Sequence, residues 1–292
     1  MSLIYNATFD KNTRKLSFED KAGNEIYSFI VPSKGLVDDP SKPLMLRAIV
    51  NNSSVRLEKR GTLSNTYQTS TDGTNWTDYR LGTQISLNKG ESVYFRCSSH
   101  PTTQSGTANV YFGMAGKIEA WHNVMSMLRT NDFATYATAM SFAFYRLFQH
   151  CNSLTKAPVL PATILSDSCY YDMFGGCSSL TKAPALPATA LSHSCYNGIF
   201  YSCTSLTEAP VLLATTLAED CYAYMFSGCS KLKEVRISAT KTAKNALNNW
   251  LNGVSATGDF YCDPNAKIFP TNSVSGIPAN WRRLNINDYP TT

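Results

Sequence analysis

The chain has 292 residues, of which 43% are hydrophobic and 16% charged, and a formal charge of +5. This composition belongs to a folded protein rather than a disordered one, with length enough for two domains of ordinary size. No Lys/Arg run or basic stripe predicts nucleic-acid binding, and no run of about 18 apolar residues predicts a membrane-spanning helix.

Residues 1–35 predict a β-hairpin for attachment or for forming a homo-oligomer. Lys15 to Asp20 and Glu25 to Val31 carry apolar residues at alternate places, with turn chemistry in Lys21-Ala22-Gly23-Asn24 between them. The first twenty residues lack a basic start followed by an apolar core, so no secretory signal is read there. Pro32, Gly35, Pro40 and Pro43 then mark a boundary.

Residues 36–120 predict a β-sandwich of the immunoglobulin-like kind. Short strand patterns occur at Leu44 to Val50, Val55 to Lys59, Thr66 to Ser70, Trp76 to Arg80, Ile85 to Leu87, Val93 to Cys97 and Asn109 to Met114. Turn signals separate them. From Trp121 to His150 the apolar spacing changes to threes and fours, at Met125, Leu128, Tyr136, Met140, Phe144 and Leu147. That spacing predicts a helical cap on the N-terminal side of the next region.

A 26-residue repeat then begins. Phe148, Phe174, Phe200 and Phe226 open successive copies, with Cys151, Cys177, Cys203 and Cys229 three residues later and Leu154, Leu180, Leu206 and Leu232 three after those. A fixed period of this size predicts a solenoid whose units bury their apolar faces only against one another. Within a unit, Leu191, Cys195, Ile199 and Cys203 step by four and predict a short helix from about Leu191 to Tyr201. Leu180 to Leu186 predicts a brief extended run, because Pro184 removes a ladder donor. After Cys229 a polar-faced helix is expected over Thr242 to Leu251, then a strand at Gly258 to Cys262, with Trp250 and Trp281 plugging the last open coil. The expected fold class is therefore α+β: hairpin (1–35), sandwich (36–120), capped leucine-rich solenoid (121–240) and C-terminal cap (241–292).

Seven of the nine cysteines sit at repeat-equivalent places, Cys151, Cys177, Cys203 and Cys229 in one column and Cys169, Cys195 and Cys221 in another. Like residues in stacked coils point the same way, which is poor disulfide geometry, so buried free thiols are expected. No nucleophile elbow, phosphate loop or dinucleotide turn is present. His150 with Cys151 and His193 with Cys195 are the only Cys/His neighbours, and neither pair has the setting of a nucleophile and base. Asp167, Asp172, Glu219 and Asp220 read as a solvated face rather than catalytic carboxylates. No enzyme, metal or cofactor is expected. Tyr170, Tyr196 and Tyr222 form another repeat column, with Tyr171, Tyr201 and Tyr224 beside it. The column tyrosines are expected to seal adjacent coils. Their neighbours, together with Lys156, Lys182 and Glu208 from a column whose charge changes sign, form the candidate recognition surface.

The unit FGGCSSLTKAP and its copy FYSCTSLTEAP, completed by LPAT and a Cys-Tyr pair, closely resemble the BspA-like leucine-rich repeats of Bacteroidetes surface proteins and of phages that infect them. The resemblance runs strongly from Ala139 to Arg236 and more weakly on either side. It implies a strand after the Cys, a helix led by Ser-x-x-Cys-Tyr, and a non-catalytic binding function. The opening hairpin is similar to short β elements of phage fibres. With no secretory signal read, this directs the expectation to a virion-surface protein: a head fibre, tail fibre or decoration protein that meets other virion proteins and a bacterial surface protein or glycan. An exported bacterial cell-surface adhesin with its signal removed is the alternative, and a carbohydrate-active enzyme a further one.

Overall fold

The computed structural model describes residues 6–10, 15–19, 25–30, 36–99, 104–271 and 273–289. The chain divides into two compact units, Met1–Val37 and Asp38–Thr292. In the first, β1 (Asn6–Asp10), β2 (Lys15–Glu19) and β3 (Glu25–Ile30) form an antiparallel sheet in that order. Lys15 faces Ile30 and Leu16 faces Phe29. The expected turn at 21–24 lies outside the described residues.

The second unit opens with β4 (Met45–Ala48), β5 (Ser53–Arg60), β6 (Tyr67–Ser70), β7 (Thr77–Tyr79), β8 (Ile85–Leu87) and β9 (Ser92–Cys97), and continues with β10 (Asn109–Ala115) and β11 (Ile118–Trp121). Alternating burial, as in β9 with Val93, Phe95 and Cys97 inside, comes from the two-residue period of a strand with one face in the core. The expected seven strands are present, but they do not make a separate, closed sandwich. One sheet has the order β10-β5-β8, and β11 continues the other by pairing in parallel with β13 (Leu154–Lys156), the first strand of the repeats. An alternating pattern announces strands without naming their partners, and the free edge of β11 is taken up by the next element rather than left open.

The expected helices are absent, and this overturns the α+β assignment. Among the described residues the only helices are two short 3-10 turns, Val124–Met127 and Ile286–Asp288. The unit is nearly all β, with a β-solenoid of about six coils. The segments read as helices, Leu191 to Tyr201, Thr242 to Leu251 and the cap before His150, are runs of linked tight turns. Every fourth residue is left-handed: Phe142, Arg146 and His150; Ser168, Asp172 and Gly176; Ser194, Gly198 and Ser202; Asp220, Tyr224 and Gly228; Asn245, Asn249 and Gly253.

These reversals divide the backbone amides into two sets. Phe142, Phe144, Arg146, Phe148 and His150 donate to the carbonyls of Asp167, Cys169, Tyr171, Met173 and Gly175 in the next coil, at 2.7 to 3.1 Å. The residues between them donate within the coil, Tyr145 to Phe142, Leu147 to Phe144 and Gln149 to Arg146. Side chains then fall two inward and two outward: Cys195 and Tyr196, Ile199 and Phe200, then Cys203 are buried. A step of four residues arises in this spiral without the 3.6-residue period of a helix.

Inside, like stacks on like. Phe112, Phe148, Phe174, Phe200 and Phe226 have successive ring centroids 5.1, 5.6, 5.8 and 5.7 Å apart and nearly parallel planes. Because Phe112 lies on β10, that strand and β11 serve as the first coil, ahead of the linked turns that stand where the helical cap was expected. The Cys column is also built in: the thiols of Cys151, Cys177, Cys203 and Cys229 donate to the carbonyls of Phe112, Phe148, Phe174 and Phe200 at 3.0 to 3.1 Å. All nine cysteines are buried and unpaired. On the opposite wall β12 (Thr138–Ala139) pairs with β14 (Ile164–Leu165), and β15 (Val211–Leu212), β16 (Glu234–Ile237), β17 (Gly258–Cys262) and β18 (Trp281–Asn285) form a parallel ladder. Trp250 and Trp281 close the end, their indole N–H groups donating to Gly276 and Ser255 carbonyls.

Two substitutions test this interior. Cys203→Ala removes a buried thiol and its bond to Phe174, and urea unfolding should show a loss of about 1–2 kcal/mol. The hydroxyl of Tyr196 is buried without a partner, so Tyr196→Phe should unfold at the same or a higher urea concentration, because a buried unsatisfied group contributes only its desolvation cost.

Candidate functional site

The six candidate residues fall on two different surfaces. Tyr171, Tyr201 and Tyr224 lie on the linked turns of three consecutive coils. The Lys156, Lys182 and Glu208 set lies on the opposite, proline-bearing wall, where coils meet through β13 and an isolated bridge from Lys182 to Glu208.

The tyrosine surface is set by the four-residue turn pattern. Tyr170, Tyr196 and Tyr222 take inward positions and are buried, stacked on one another and on Phe144. Tyr201 and Tyr224 take outward positions and are 45% and 40% exposed. Tyr171 is half-buried, its ring stacked on Tyr145 at 5.0 Å, with the Arg146 guanidinium 4.9 Å from the Tyr145 ring centre and 5.8 Å from that of Tyr171. Aromatic rings held by a rigid backbone bring contact area at small entropic cost.

Beside this strip lies a charge cluster where the sequence predicts a solvated face. Arg146 and Asp172 occupy the same left-handed position in adjacent coils, and their side chains meet at 3.3 Å. Gln149 also donates to the Asp172 carboxylate. The next two places in that column are Gly198 and Tyr224. Asp172 Oδ1 lies where a side chain on Gly175 would stand, so the glycine makes room for the acid. Burial pushes the Asp172 carboxyl up to about 6, against the opposing pull of Arg146, His150 and Gln149. The visible signal was the Gly175-Gly176 pair, where the neighbouring coil has Tyr201 and Ser202.

On the other wall the Lys156 ammonium is fixed by Asp38 at 2.7 Å and by the Trp121 ring at 4.0 Å. Lys182 pairs with Glu208 at 2.7 Å, with both side chains largely exposed, a contact that contributes little to stability. Glu234 meets Arg236 at 3.4 Å. The sign change along this column is thus met by pairing within and between coils. A cavity of about 560 Å³ opens between Thr155–Pro161 and Thr181–Pro187.

The Cys/His neighbours do not converge on chemistry. Cys195 is buried with its thiol pushed up to about 12 by desolvation, while the half-exposed His193 faces Asp220 at 3.6 Å. Among the described residues no three His, Cys, Asp or Glu side chains gather to hold a metal. Nor is any helix there long and apolar enough to cross a membrane. Compared with protein-family models, curated proteins and solved structures, the chain matches none.

The raised Asp172 carboxyl has a defined sign. The native state holds this proton more tightly than the unfolded chain does, so the stabilisation from protonation is complete below about pH 4 and lost as pH rises through about 6. Asp172→Asn imitates the protonated form. In thermal melts it should match or exceed the parent at about pH 7, and the difference should shrink steadily toward about pH 4.

Proposed function

We propose that this chain is a non-catalytic recognition protein displayed on a surface, whose tyrosine-bearing flank contacts the ligand. The observation that carries the reading is the presence of Tyr171, Tyr201 and Tyr224 on the turns of three successive coils, at different turn positions but all outside a stacked aromatic core. Large, stiff, amphipathic rings on a pre-organised backbone suit a protein or glycan partner, because little conformational freedom is lost on binding.

The setting we favour is a virion, with the solenoid as a BspA-like leucine-rich repeat that meets the bacterial surface and the N-terminal β unit providing attachment. The repeat motif supports this reading.

Two measurements test the proposal. Alanine at Tyr171, Tyr201 and Tyr224 together should weaken binding to host cells by at least about tenfold while leaving the far-UV spectrum unchanged; undiminished binding would remove the tyrosine flank from recognition. Mass spectrometry of density-purified virus particles and of outer-membrane fractions from the same culture should find this chain at fixed stoichiometry in the particles. Its presence only in the membrane fraction would make it a cellular adhesin.

A further inference from the structure

The cavity on the proline-bearing wall is independent of the tyrosine flank, and its origin can be read in the repeat. Two consecutive copies carry proline at both of two places, Pro158 with Pro161 and Pro184 with Pro187. None of these can donate to a ladder. Among the described residues no backbone hydrogen bond joins 156–162 to 182–188. The next copy has Leu213 where the second proline would stand, and there strand pairing resumes: Val211–Leu212 pairs with β16, and Ser238 donates to the Leu212 carbonyl. The prolines therefore keep two coils unzipped along one wall, and the walls of the resulting space are rigid because each proline fixes its own backbone angle.

The lining is mostly apolar, with Val159, Ala157, Ala183 and Ala185 between the prolines, and about 560 Å³ is the size of a small-molecule site. The charges at its rim are unequal in availability. Asp38 and Lys156 neutralise each other, and Lys156 is further held by the Ala120 and Ala157 carbonyls and the Trp121 ring. Lys182 has a side chain 73% exposed and one exposed partner, Glu208, a pairing that an incoming anion can replace at little cost.

We propose that this inter-coil cleft is a binding site for a small apolar molecule with one anionic end, its hydrocarbon or aromatic body against Pro158, Pro161, Pro184 and Pro187 and its anion on the Lys182 ammonium. The prolines supply the preformed apolar slot and Lys182 the orientation. Neither the tyrosine flank nor the virion setting enters this inference.

The test is a titration of the full chain with anilinonaphthalene sulfonate, an aromatic body with a single sulfonate, and with its uncharged relative phenylnaphthylamine. Ala185, exposed on the cleft wall, is replaced by Leu to fill the space, and Lys182 by Ala to remove the charge. The expected results are saturable binding of the sulfonate at one site per chain, loss of it in Ala185→Leu, and an approximately fivefold weakening in Lys182→Ala that the uncharged probe does not share. Melting curves of both variants should overlay the parent, since both positions are exposed. Sulfonate binding unaffected by Ala185→Leu, or equal effects of Lys182→Ala on the two probes, would overturn the proposal, as would the absence of any saturable site.

Discussion

Everything in the solenoid depends on the left-handed residue placed at every fourth position of its turn wall. A right-handed helix would spend each amide on its own chain four residues back. The reversals at Ser168, Asp172 and Gly176, and at their equivalents above and below, instead turn alternate amides out toward the adjacent coil. One coil therefore cannot satisfy its backbone alone, and stacking is obligatory for the polar groups as well as for the apolar ones. The same geometry sets the inward pairs of side chains. A stack of phenylalanines, a stack of tyrosines and a column of thiols bonded to the phenylalanine carbonyls all arise from one backbone pattern.

This constraint also locates the surfaces. Outward positions alternate with inward pairs, so Tyr201 and Tyr224 stand out while Tyr196 and Tyr222 are sealed in. On the other wall the constraint is relaxed, since prolines remove donors and the coils touch through short strands and single bridges. The turn wall is thereby a rigid support for aromatic side chains, and the proline wall is the place where the stack can open a cleft.

The strands were legible in the amino acids because a two-residue alternation of burial has few other causes, as at Val93, Phe95 and Cys97. Their partners were not, since pairing is decided by which free edge lies nearest, and β11 found Leu154. The repeat and its inward columns were legible from period alone. The secondary structure inside the repeat was not: Leu191, Cys195, Ile199 and Cys203 step by four, which resembles a helix face over so few residues. A helix drifts from a strict step of four, and the spiral does not. The distinguishing sign was Ser, Gly, Asp and Asn at every fourth place, the residues that tolerate left-handed backbone, partly hidden by Phe142, Arg146 and Tyr224 in the same columns. The tyrosine flank was visible in sequence, whereas the burial of Asp172 had only an indirect sign, the Gly175-Gly176 pair, whose meaning depends on how the coils stack.

The most direct test of the turn spiral is the stability of Ser202→Gly against Ser202→Ala. Ser202 is left-handed, with φ of 55°, and its equivalents in neighbouring coils are His150, Gly176, Gly228 and Gly253. In a helix interior alanine is favoured over glycine by about 1 kcal/mol. In a left-handed turn the order reverses, because glycine has no Cβ to crowd the backbone. Urea unfolding should find the glycine variant more stable than the alanine variant by about 1 kcal/mol; an alanine variant more stable by a similar margin would restore the helix and contradict the spiral.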